Sequence, residues 1–155
     1  MIDSLLKVAD IFLGRADRLR EAQADTRMRV SSYFENVARC LSTIAGTLKA
    51  KTEPRQACAE LDEYSDQYND YDDPESPIAK VFGERLAKEL RGELWHLTDS
   101  RGGAVAAISN MPRHRFMLSD EYAHLPDDQI LEVAIREIER AAGKFKALSV
   151  LAATQ

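Results

Sequence analysis

Between Arg27 and Lys49 the chain reads RMRVSSYFENVARCLSTIAGTLK, and Val30, Phe34, Val37, Leu41, Ile44 and Leu48 recur at three- and four-residue steps. Tyr33, Ala38 and Ala45 widen that stripe to the arc of an α-helix with one buried face. The stretch holds no proline, and its one glycine, Gly46, comes near the end. The rest of the chain is organised around this helix.

A second stripe precedes it: Ile2, Leu5, Ala9, Phe12, Ala16 and Leu19, with Asp3 or Ser4 placed to cap its start. Leu6, Val8, Ile11 and Leu13 make its first turns apolar over more than half the circumference. Such a helix is buried on two sides, or it offers a second apolar face to a partner or a membrane surface. Leu5 and Phe12 are accordingly candidate partner contacts. The connector REAQADTRMR, Arg20 to Arg29, is polar but contains no helix breaker. The helical phase carries through it, so one helix over 3–49, on the order of 70 Å long, fits the pattern. A break near Asp25–Ser32 also fits, because Ser32 and Glu35 form a capping box. The balance favours a helix pair or a kinked helix.

Lys49 to Pro54 reads as a turn, with Pro54 suited to the first position of a third helix carrying Ala57, Cys58, Leu61, Tyr64, Ser65 and Tyr68 on one side. The segment YNDYDDPESP follows as an acidic loop, and the carboxylate spacing of Asp66, Asp70, Asp72, Asp73 and Glu75 is not that of a Ca²⁺ loop. Ser76 and Pro77 then start a helix with Phe82, Leu86, Leu90, Leu94 and Leu97 on one face. Trp95 points away from that face. It is either packed on a second side or an exposed anchor for a partner. Ser100 to Gly103 ends or kinks this helix. Asn110 to Pro126 is the least regular part, with Arg113, His114 and Arg115 beside Phe116, Met117 and Leu118. Arg113 and Arg115 are candidate contacts for a phosphate or an acidic partner; the competing reading is a loop whose apolar half tucks against the bundle. A last helix begins around Pro126–Asp128 and buries Leu131, Ala134, Ile135, Ile138, Ala142, Phe145 and Leu148. No strand pattern of convincing length occurs. The pattern as a whole predicts an all-α fold: one helical-bundle domain over 1–155, of four to five helices with a long N-terminal helix or helix pair.

Composition adds little that changes this picture. Apolar residues make up 45% and charged residues 30%, as in ordinary globular chains. The net charge of −5 argues against general nucleic-acid binding. Cys40 and Cys58 fall near apolar helix faces, poorly aligned for a bridge, and read as reduced, buried thiols of a cytoplasmic protein. No segment approaches the ~18 consecutive apolar residues of a membrane span. With Asp3 and Asp10 inside it, the N-terminus does not read as a secretory signal.

Motifs that carry chemistry are sparse. There is no glycine-rich phosphate loop, no G-x-S-x-G, no H-E-x-x-H and no C-x-x-C. Glu93–His96 and Glu121–His124 are E-x-x-H pairs of the type that di-iron bundles use twice, but they lie too close in sequence for another full helix between them. No metal ligand set and no cofactor site is assigned. Arg91-Gly-Glu-Leu-Trp-His96 resembles the R-x4-H signature of HEPN ribonucleases, with Gly92 standing where that family usually has a polar residue. The resemblance implies a dimeric, metal-independent ribonuclease in which Arg91 binds the scissile phosphate and His96 does acid–base work. On a straight helix the two side chains diverge by about 140°.

An apolar first helix, an Arg-rich connector, then R-x-x-x-YFENVARCLSTIAGTLK from Arg29, a proline and CAELDEY give residues 1–70 a second likeness. This order resembles helical effector-associated modules of bacterial conflict and defence systems, some of them compared with HeLo/Bell-type bundles. It implies an adaptor or membrane-acting role and carries over no catalytic residue. Three functions are therefore expected, in this order: a non-enzymatic interaction or oligomerisation module that binds a protein partner or itself; a membrane-perturbing effector inserting Ile2–Leu13; and a ribonuclease using Arg91 and His96.

Overall fold

The two longest helices set the frame. In the computed structural model, which describes residues 2–118 and 120–155 and leaves the Glu121 side chain out, α3 (Ala24–Lys49) and α8 (Asp127–Thr154) lie against each other. They run antiparallel. Lys49 Nζ reaches Glu139 (2.5 Å), Lys146 Nζ reaches Glu35 (3.2 Å), and the Ser31 hydroxyl donates to the Ser149 carbonyl (2.9 Å). The stripe read from the sequence is the contact face of α3: Val30, Phe34, Val37, Leu41, Ile44 and Leu48 are all buried. On α8, Ala134, Ile138, Ala142, Phe145 and Leu148 are buried as expected, whereas Leu131 and Ile135 are only partly so.

Around this pair stand α1 (Ile2–Gly14), α2 (Arg18–Glu21), α4 (Arg55–Tyr68), α5 (Pro77–Phe82), α6 (Glu84–Thr98) and α7 (Ala104–Ser109). The described residues are all-helical, and α1 packs against both α8 and α6. That double contact explains its wide apolar arc. It also corrects the expectation for Leu5 and Phe12, which are fully buried in the core and present nothing to a partner or a bilayer. The inserting face expected over Ile2–Leu13 is likewise occupied, with Ile11 as the one large apolar side chain left well exposed.

The helix count exceeds the expected four to five because the chain breaks at points that the hydrophobic stripe does not mark. The N-terminal pair separates after Gly14, not at Asp25–Ser32. Leu19, on the short α2, is pulled into the core, and Ala22 and Gln23 are extended before α3 begins. Ser32 is interior to α3, so the capping box does not form. The Arg27 guanidinium in the first turn of α3 donates back to the Ala22 carbonyl of the extended segment (2.6 Å), which fixes the entry of the chain into the helix. The helix expected over Pro77–Leu97 is cut at Gly83, whose φ of 94° is open to glycine and strained for other residues. Arg18 donates to the Phe82 carbonyl at that cut (2.8 Å), a group the helix can no longer satisfy. Gly103 is required for a different reason. A Cβ there would stand 2.5 Å from the Asp99 carbonyl oxygen.

The irregular stretch is tied down by Arg115. Its guanidinium meets Asp127 on α8 (2.6 Å), donates to the carbonyls of Tyr122 and Ala123 (3.2 Å each), and donates also to that of Leu125. Leu118 and Met111 pack on the core, but Phe116 does not tuck in and is 82% exposed. No helix among the described residues is long and apolar enough to cross a membrane.

Candidate interaction surface on α4 and α6

The helix that follows Pro54, α4, and the leucine-striped α6 pack side by side, with Leu61 on one and Leu90, Leu94 and Leu97 on the other all buried. Arg91 stands at their junction. Its guanidinium donates to the carbonyls of Ser65 (3.3 Å) and Asn69 (3.0 Å) and pairs with Asp66. A cation fits there because the last carbonyls of a helix are unpaired and carry the negative end of its dipole. Beneath this clamp lies a buried polar pair, the Tyr33 hydroxyl 3.0 Å from Ser65 Oγ. Burial pushes the Tyr33 phenol up to about 12. Asn69 is buried too. Its amide donates to the Ala87 carbonyl (3.0 Å).

These contacts bear on the ribonuclease signature. Arg91 is engaged by a carbonyl in the last turn of α4, the carbonyl of the residue that follows it and a carboxylate, while His96 is exposed and packs edge-on against the Trp95 ring (5.4 Å). The cavity that Arg91 lines does not include His96. Arg91→Ala is therefore expected to cost about 1–3 kcal/mol of folding stability, read from the shift in the urea midpoint, because it strips partners from Ser65, Asn69 and Asp66. An Arg91→Ala protein as stable as the wild type that loses RNA cleavage would instead support phosphate binding by this side chain.

Trp95 lies one turn beyond Arg91. It is 53% exposed, as an anchor for a partner must be. A cavity of about 200 Å³ opens beside it, lined by Asp62, Ser65, Asp66, Arg91, Leu94 and Trp95. Asp62 also lines a second cleft of about 270 Å³, where the start of α4 meets the end of α6 and the start of α7. Glu53, Cys58, Thr98 and Asp99 contribute to that cleft. The Thr98 hydroxyl donates to Asp62 (2.9 Å), and Asp99 accepts from the backbone N–H groups of Arg101 (3.4 Å) and Gly102 (3.2 Å). Burial, followed by the carboxylates of Asp62 and Glu53, pushes the Cys58 thiol up to about 12. The two cysteines are free and buried, and burial raises the Cys40 thiol as well.

Other surfaces offer less. A broad groove of about 730 Å³ runs between α3 and α8 over Ala38, Ser42, Gly46, Ala142 and Gly143. Every charged side chain lining it has an ion-pair partner: Glu35 with Lys146, Lys49 with Glu139, and Arg39 with Glu60. Of the two arginines expected to meet a partner, Arg115 holds the loop to α8, and only Arg113 is exposed, close to Phe116 in the chain. Among the described residues no three His, Cys, Asp or Glu side chains group as metal ligands, and the Glu121 side chain of one E-x-x-H pair lies outside the described set. Nothing in the sequence distinguishes Asp62 or Asp99. A carboxylate on the polar side of a helix has no pattern to mark it until a second element brings an aromatic ring beside it.

Comparison with protein-family models, with curated proteins and with solved structures finds no match for this chain.

Proposed function

We propose that this protein is a non-enzymatic helical interaction module that docks a protein partner on the α4/α6 surface. The observation that supports this reading is Trp95, a large apolar side chain held half in solvent on a rigid helix and lining a cleft between α4 and α6. Exposed tryptophans on well-packed elements are the residue type that most often carries binding energy in an interface. We take the partner to belong to a bacterial signalling or defence complex, on the resemblance of residues 1–70 alone. The membrane-acting reading loses its inserting element, since Leu5 and Phe12 are core residues, and the ribonuclease reading needs an arginine that the fold uses to cap α4.

The test is a photo-crosslinking amino acid at position 95 in the native cells, compared with the same group at Gln129, an exposed position on α8. A discrete adduct at 95 and none at 129 is the expected result. Adducts at neither position, together with transfer of the purified protein onto liposomes, would overturn the interaction reading in favour of the membrane one.

A further inference from the structure

The charges lining the cleft at Trp95 and the one joined to it through Asp62 say what kind of partner fits. The two clefts that share Asp62 are lined by four carboxylates, Glu53, Asp62, Asp66 and Asp99, against two guanidiniums, Arg55 and Arg91. Both guanidiniums are already engaged, Arg55 with Glu53 (3.1 Å) and Arg91 with Asp66. Asp62 and Asp99 have no cationic side chain within ion-pair distance among the described residues. Their observed partners are one hydroxyl and two backbone N–H groups. The surface therefore carries uncompensated negative charge, and Asp62 lines the same cavity as the exposed indole.

An aromatic face flanked by carboxylates is the chemistry that recognises a cationic side chain. The ring quadrupole attracts the cation, the carboxylate pairs with it, and the aliphatic stem covers the apolar rim. A nucleic acid or an acidic peptide would be repelled by the same charges. We propose that the α4/α6 surface takes a basic segment of the partner protein, with an arginine or lysine laid along the face of Trp95 and its charged head held by Asp62. This inference rests on the interaction reading above and names the partner's chemistry.

The chain holds a single tryptophan, so its emission reports on this site alone. The purified protein is titrated with a short Arg-Ser repeat peptide and, separately, with its Glu-Ser counterpart. The expected result is a saturable change in Trp95 emission with the basic peptide only, weakening as salt screens the pairing. Asp62→Asn, which keeps an acceptor for Thr98 and the fold, is expected to weaken it about two- to fivefold. Asp62→Lys is expected to weaken it further. Equal responses to both peptides, or a response that ignores both Asp62 variants, would overturn the inference. If position 95 crosslinks a protein in cells while the basic peptide leaves the emission unchanged, the cation inference fails and the interaction reading stands. If neither occurs, both fail.

Discussion

Phe34→Ala is expected to remove about 3–5 kcal/mol of folding stability, the largest effect of any single substitution considered for this chain. The Phe34 ring is fully buried where four helices meet. It lies 5.7 Å from Phe12 of α1, 6.2 Å from Phe82 of α5 and 5.8 Å from Phe145 of α8, and Tyr33 flanks it at 5.7 Å. Two of these pairs are edge-to-face, the geometry in which aromatic quadrupoles attract beyond their buried area. Truncation leaves a cavity walled by rings from separate helices, and stiff aromatic walls collapse poorly into such a space. Because native domains are stable by only about 5–15 kcal/mol, such a loss would bring the urea midpoint far down. Phe116→Ala is the control. The same atoms are removed from a side chain 82% exposed, and a change within about 0.5 kcal/mol is expected. If Phe34→Ala shifts stability no more than Phe116→Ala does, the packing described for the α3–α8 core is wrong.

That contrast also marks what is legible in the sequence. The stripe Val30–Leu48 has a strict helical period because one face of α3 is buried from Val30 onward, so burial and pattern coincide. Pro54 just ahead of α4, Pro77 at the first position of α5, and Asp127 and Asp128 in the first turn of α8 make those three starts readable. The breaks are harder. Gly83 interrupts a leucine stripe that continues in phase on both sides, and the carbonyl it frees is satisfied by Arg18, which is remote in sequence. Ser32 and Glu35 make a locally correct capping box that tertiary contacts override, with Glu35 pairing with Lys146 instead. Leu5 and Phe12 look available only because one helix contacts two others at once, and a one-dimensional pattern cannot say which neighbours cover a wide apolar arc.

The candidate surface is half legible. Trp95 stands out because it leaves the leucine face of its helix. Arg91 stands out for its spacing to His96, yet its role follows from a contact with α4 across 22 to 26 positions of sequence. Asp62 and Asp99 gain meaning only from the approach of α4 to α6 and α7. The neighbours Met117 and Leu118 point Phe116 towards the core by pattern, whereas the short helical turn over Arg115–Met117 leaves it outside.

Stability is expected to fall steeply in alkali, between pH 9 and 12. The sign follows from linkage. In the unfolded chain a tyrosine loses its proton near 10.0 and a cysteine near 9.0, but in the folded protein burial holds Tyr33 and Cys58 protonated up to about 12. The folded state thus binds more protons in this window, and its advantage shrinks as the pH rises. It is fully present below pH 9 and is lost as the pH passes through 12. A tenfold difference in proton affinity between the two states corresponds to about 1.4 kcal/mol, so Tyr33 accounts for a loss of about 2–3 kcal/mol. Cys58 accounts for a comparable one, reduced because the thiol lines an open cleft. Urea midpoints across this range for the wild type, Tyr33→Phe and Cys58→Ala separate the two contributions, since each variant removes one titrating group and flattens the curve by its share. Tyr33→Phe is also expected to be less stable at neutral pH, because Ser65 loses the hydroxyl it meets. A wild-type midpoint that stays level to pH 12 would mean that neither group is buried as the packing of α3 against α4 requires.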